Sequence, residues 1–151
     1  MGIANKMTTF SVAGVPVAKG RPRFSRVGNY VRTFTPKKSA AFEDRVRLCA
    51  DAAGVDYLQD GPVAVHVLAY WPMRGQPRKR EPRPECWKTT KPDSDNLLKG
   101  CLDAMNGVCY RDDAQVAKAS VEKRHCRQDD PQGARVEITV EAITEPPWEL
   151  P

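Results

Sequence analysis

The chain has 151 residues, 40% of them hydrophobic, and carries 24 Lys+Arg against 19 Asp+Glu for a formal net charge of +5. A length of this order fits one domain that buries about 68–70% of its unfolded surface, and no apolar run is long enough to span a bilayer as a helix. The five cysteines (Cys49, Cys86, Cys101, Cys109 and Cys126) are odd in number and form no C-x-x-C pair, which argues against a zinc ribbon and against a disulfide framework.

The first element in chain order is a strand over Thr9–Val17, with Phe10 and Val12 on one face and a break at Gly14-Val15-Pro16. Residues 1–7 before it lack the apolar core of a signal peptide and read as a flexible end. Gly20–Thr33 is polar and basic, an exposed hairpin around Gly28-Asn29. Thr35 then serves as helix N-cap with Pro36 at the first helical position. Phe42, Val46, Cys49 and Ala53 recur at helical spacing, and Gly54 supplies the stop.

Pro62–Trp71 alternates Val63, Val65 and Val67 with Ala64, His66 and Leu68, the pattern of a largely buried strand. His66, alone inside it, reads as a packed residue. Residues 73–92 form a long basic loop rich in proline (Pro77, Pro82, Pro84, Pro92), and loops of this length are usually functional or disordered. Asp95 begins a second helix whose apolar face is Leu97, Leu98, Cys101, Leu102 and Met105, closed by a left-handed cap at Asn106-Gly107. Gln115–Lys123 and Ala134–Ala142 read as strands, and the proline-rich 145–151 as a frayed end. The order β-α-β-α-β-β implies one α/β domain over 1–151, with a mixed sheet flanked by helices.

Charge is distributed unevenly along this frame. Lys19, Arg21, Arg23, Arg26, Arg32, Lys37 and Lys38 fall in one stretch that holds no acid. Arg74, Arg78, Lys79, Arg80, Arg83, Lys88 and Lys91 form a second, against Glu81 and Glu85. Between them and the last strands sit five carboxylates, Asp93, Asp95, Asp103, Asp112 and Asp113. Like charges a few Å apart repel by roughly 3 kcal/mol at an effective dielectric near 20, so a fold that converges them needs a cation. Oxygen-only ligands favour a hard divalent ion such as Mg²⁺. An acidic metal site in a basic protein suggests an enzyme that hydrolyses a polyanion.

Asp93 and Asp95, two apart at the entry to a helix, share a face in extended geometry. Asp95 also suits an N-cap. Lys99 lies one turn beyond Asp95 and one turn before Asp103; it is either part of a solvated charge ladder or the cation that faces the scissile phosphate. Asp112 and Asp113, adjacent before a strand, point in opposite directions, with Gln115 on the face of Asp113. His125-Cys126 is too small a set for a soft-metal site.

The motif Asp93-x-Asp95-Asn96-Leu97-x-Lys99, then Asp103-Ala104-x-Asn106-Gly107, then Tyr110-x-Asp112-Asp113-x-Gln115-Val116, resembles the RusA family of Holliday junction resolvases. Lys19-Gly20-Arg21-Pro22-Arg23-Phe24 and Thr35-Pro36-Lys37-Lys38 are similar to the amino-terminal half of that family, so the likeness runs from about Val12 to Arg124. It implies that Asp113 is the third catalytic aspartate and Asp112 a turn former or supporting residue. It implies a four-way DNA junction as substrate and a homodimer as the active assembly, acting in DNA recombination and repair.

The expected chemistry is Mg²⁺-assisted phosphodiester hydrolysis, with Asp93, Asp95 and Asp113 as metal ligands and Lys99 as a further catalytic residue. The products carry 5′-phosphate and 3′-hydroxyl ends. Lys19, Arg21, Arg23, Arg78, Lys79 and Arg80 are the expected DNA contacts, reaching phosphates without reading sequence. Reduced thiols and the absence of a membrane span place the protein in the cytoplasm. Two other readings stay open: a nuclease acting on flaps or other branched nucleic acid, and a non-catalytic DNA-binding protein whose aspartates cap a helix and hold a structural cation.

Overall fold

The computed structural model describes residues 6–144. Among them the elements run β1 (Met7–Ala13), β2 (Arg23–Val27), β3 (Tyr30–Phe34), α1 (Lys37–Ala52), β4 (Val63–Trp71), β5 (Cys86–Trp87), α2 (Ser94–Met105), β6 (Val116–His125) and β7 (Arg135–Ala142). A short 3-10 turn, Asp113–Gln115, precedes β6. Five strands form one sheet in the order β1-β7-β4-β6-β5, and β2 and β3 pair only with each other. β4 and β6 are parallel and the other pairs antiparallel, so the sheet is mixed. With the hairpin and the two-residue β5 set aside, the order is the expected β-α-β-α-β-β.

The alternation of the strands decides which face is covered. Val63, Val65, Val67 and Ala69 of β4, Phe10 and Val12 of β1, and Val136, Ile138 and Val140 of β7 all enter one core. Phe42, Val46 and Ala50 of α1 and Leu97, Cys101, Ala104 and Met105 of α2 complete it, so both helices lie on the same face of the sheet. Each fully buried Val, Leu or Phe contributes about 1.5–3 kcal/mol. The opposite face is mixed: Ala64 and Tyr70 are buried there, His66 Nδ1 meets Ser120 Oγ at 2.7 Å, and Thr9 and Thr139 share a hydroxyl hydrogen bond of 2.8 Å. His66 is half-buried within its strand, as a packed residue should be.

Several boundaries differ from expectation, each for a local reason. β1 starts at Met7, which pairs with Glu141, so the amino-terminal flexible end does not extend through residue 7. The expected flexible ends otherwise lie at residues 1–5 and 145–151, outside the described residues. β1 stops at Ala13 rather than Val17 because Gly14 takes φ +108°. Pro36 remains extended (φ −53°, ψ 140°) as the cap of α1, with no side-chain cap from Thr35. The inward face of α1 ends at Ala50, and Ala53 is exposed. The helix does terminate at Gly54, at φ +67°. α2 begins at Ser94, with Asp93 rather than Asp95 at the cap position, and its exit is extended at Asn106 with Gly107 at φ +77°.

Candidate active site

Asp93 opens α2 at φ −69° and ψ 146°, and its side chain makes no capping hydrogen bond. The segment that delivers it is clamped from the sheet. Lys123 of β6 donates through Nζ to the carbonyls of Thr90 at 2.9 Å and Pro92 at 2.7 Å. Lys88 is buried, donates through Nζ to Thr90 Oγ1 at 2.8 Å and lies over the Trp71 ring at 5.2 Å. Burial, and then Arg74 and Lys123, hold its ammonium below the usual lysine range. Asp93, Asp95 and Lys99 are all exposed, with Asp95 in the first turn, where the helix dipole favours a negative charge.

The second acidic pair is sorted by hydrogen bonding. Asp112 Oδ1 accepts from Ala114 N at 2.9 Å, while Gln115 Oε1 accepts from Asp112 N at 3.0 Å, closing a capping box on the 3-10 turn. The amide of Gln115 reaches on to the carbonyls of Leu58 at 3.2 Å and Gly61 at 3.1 Å. It thereby ties the turn to the loop before β4. The Ala114 N–H, then Asp113, hold the Asp112 carboxyl below the usual range. Asp113 goes the other way: Asp112 first, then burial and the charge of Asp103, push it up. Asp112 caps the turn through Oδ1.

A cleft of about 450 Å³ separates the root of the β2–β3 hairpin from α2. Lys19, Arg21 and Phe34 line one side, and Asn96, Lys99 and Asp103 the other. Lys19 is not a free cation there: its Nζ lies 2.7 Å from Glu43 Oε1 and 3.0 Å from Asp103 Oδ2. Arg21 and Arg23 are exposed, as are Arg78, Lys79 and Arg80. The loop that carries the last three is stapled rather than loose. Gln128 accepts from Arg78 N at 3.1 Å and Arg83 N at 3.0 Å, and donates to Arg78 O at 3.0 Å.

Of the five carboxylates, Asp103 is engaged by Lys19 and Asp112 by the capping box. Asp93, Asp95 and Asp113 enter no salt bridge among the described residues. Their oxygen donors and uncompensated charge fit a hard divalent cation in chemistry. Among the described residues, however, no three His, Cys, Asp or Glu side chains converge to hold a metal. The structure brings Asp113 to Asp112 and into the field of Asp103, and sets Asp93 and Asp95 together at the start of α2.

The sequence pattern did not reveal Glu43, Lys88 or Lys123 as parts of this frame. Glu43 follows Phe42 on the inward stripe of α1, and a carboxylate on such a stripe calls for a buried cation; that signal was present. Lys88 and Lys123 carried none, because their partners are backbone or hydroxyl groups. All five cysteines are free. Burial pushes the Cys101 thiol up to about 12 and that of Cys109 to about 11, so both stay protonated and poor ligands. His125 Nδ1 is occupied by the Pro72 carbonyl at 3.0 Å.

Residues 13–141 match the family model described as Endodeoxyribonuclease RusA. The chain is also 36% identical over 141 residues to the protein named Uncharacterized protein YqaN of Bacillus subtilis (strain 168), an alignment that covers 89% of this chain and 96% of that protein.

Proposed function

The chain belongs to the RusA family of endodeoxyribonucleases, and from that membership we propose that it resolves four-way DNA junctions by Mg²⁺-dependent hydrolysis of one phosphodiester in each of two symmetric strands. The observation that carries this reading is the sorting of the five carboxylates. Asp103 is engaged by Lys19 and Asp112 by the capping box, while Asp93, Asp95 and Asp113 enter no salt bridge among the described residues. These three would hold the metal. When bound, Mg²⁺ neutralises phosphate oxygens and lowers the pKa of a coordinated water.

The rest of the chemistry belongs to the chain's own side chains. Lys99, on the exposed face of α2, offsets charge that develops on the phosphate. Lys123, on the Thr90 and Pro92 carbonyls, and Lys88, on the Thr90 hydroxyl, fix the segment that presents Asp93 before DNA arrives. In-line attack by water expels the 3′ oxygen, leaving a 5′-phosphate and a 3′-hydroxyl. Arg21, Arg23, Arg78, Lys79 and Arg80 bind phosphates around the branch. Two nicks require two active sites, which a two-fold homodimer supplies. The domain is a single one over the whole chain. It works in the cytoplasm, a setting that suits five free thiols; no helix among the described residues is long and apolar enough to cross a membrane.

A substrate panel tests the assignment. In Mg²⁺, an immobile four-way junction should be cleaved faster than a flap, a nicked duplex or an intact duplex of the same sequence. Equal or faster cleavage of the flap would move the substrate to other branched DNA, and binding without cleavage of any substrate would leave only a DNA-binding protein.

A further inference from the structure

The hairpin β2–β3 cannot orient itself. All ten of its strand residues are exposed, it pairs with no other strand among the described residues, and an isolated two-stranded ribbon is marginally stable in water. Its placement over the cleft is therefore set by its root. That root is fastened with unusual density across three residues. Lys19 N donates to Asn96 O at 3.1 Å, Gly20 N to Ser39 Oγ at 2.9 Å, and Ser39 Oγ to Ala18 O at 3.2 Å. The fit is tight. A Cβ at Gly100 would stand 3.3 Å from Lys19 N, and one at Gly20 would stand 2.8 Å from Pro36 Cγ.

At the centre is the Lys19 ammonium, joining Glu43 of α1 to Asp103 of α2. Glu43 is 8% exposed, and a carboxylate buried to that degree needs its cation. Arg47 also meets Glu43 at 3.9 Å, and the Lys19 ammonium is itself matched by a carboxylate on each side, so it has no charge to spare for a phosphate. On the reading of this cleft as the DNA-cleavage site, we propose that Lys19 is a positioning residue: its ammonium does not touch DNA but locks the hairpin root to both helices, fixing the wall of the cleft that faces Lys99. It does this in the same motif in which Arg21 and Arg23 are exposed.

The test compares Lys19→Met, Lys19→Arg and Glu43→Gln with the full wild-type chain on a synthetic four-way junction. Three quantities are read: the slope of log affinity against log salt, the single-turnover cleavage rate at saturating protein, and hydrogen exchange at the amides of Lys19 and Gly20. Lys19→Met should leave the salt slope unchanged, slow single-turnover cleavage at least about tenfold through misplacement of the cleft wall, and speed exchange at both amides. Lys19→Arg, which keeps the cation, should recover part of the rate and of the protection. A slope reduced by about 0.9, the value of one lost phosphate contact, with an undiminished single-turnover rate would overturn the proposal. So would a slower rate with both amides still protected.

Should Lys19→Met fail to fold, Glu43→Gln decides. The lock predicts slower cleavage at constant slope; a steeper slope at full rate would mean that the freed ammonium reaches DNA, against the proposal. If wild-type protein bound junctions but cut nothing, the nuclease assignment would fail, while exchange and salt slope would still decide what Lys19 does.

Discussion

A carboxylate that accepts a backbone N–H is stabilised as an anion, and a second carboxylate held against it is not. Asp112 and Asp113 differ in this way, and the difference can be tested residue by residue. Asp93→Asn, Asp95→Asn and Asp113→Asn should each reduce cleavage by on the order of 10²–10³-fold, the scale of several kcal/mol of lost transition-state stabilisation. Junction binding should hold or tighten, since negative charge near phosphate is removed. Asp112→Asn should do much less to cleavage; an equal loss there would reverse the assignment within the pair. Asp113 also predicts a pH dependence of stability. Its carboxyl titrates above the usual range in the fold, so its ionised form opposes folding. That cost is absent below the ordinary aspartate range and grows as pH rises through the raised value. Melting temperatures should therefore show Asp113→Asn to be more stable than wild type near neutral pH, with the gap closing towards about pH 3, where Asp113 is protonated in the folded chain and largely so in the unfolded one.

The elements that place these residues were legible to unequal degrees. β4, β7 and the inward face of α2 announce themselves by period, because each buries one face of an alternating or 3.6-residue pattern. The hairpin was marked by Gly28-Asn29, and Gly28 takes φ +60° as the turn requires. α2 starts one residue before the expected Asp95 and its cap lies two before it: Asp95 has the chemistry of a cap, but Asp93, on the segment that Lys123 clamps at Thr90 and Pro92, holds that position. At Lys19 the proposal above departs from the sequence reading for a similar reason. A lysine in a basic stretch looks like a phosphate contact until Glu43, 24 residues away, arrives beside it. The carboxylate motif was readable from its spacing, but its internal sorting was not, since capping and pairing are tertiary facts. α2 also ties stability to the site. Leu97 is fully buried two residues after Asp95, so Leu97→Ala should cost about 2–5 kcal/mol in denaturant unfolding. It should also lower cleavage by the fraction that remains folded, because Asp93 and Asp95 sit on the helix it anchors. A loss of activity with no loss of stability would detach α2 packing from the site.

At the scale of the whole molecule, the charge pattern matters more than the net charge of +5. Carboxylates gather at α2 and the turn before β6, and exposed arginines stand on the segment before the hairpin and on the 73–92 loop. Phosphate contacts release counterions, about 0.9 per phosphate on duplex DNA. Replacing Arg21 and Arg23 with Ala should thus flatten the salt slope by roughly two units and weaken junction and duplex binding alike. The preference for the junction should survive if it arises from two protomers holding four arms, and the solution mass should be that of a dimer. The most direct measurement is cleavage of an immobile four-way junction by wild-type protein, with Mg²⁺ and with a chelator, mapping nicks on all four strands. The account predicts paired symmetric nicks in Mg²⁺ that DNA ligase reseals, and intact strands in chelator. Undiminished cleavage in chelator, or nicks on a single strand that ligase cannot close, would contradict it.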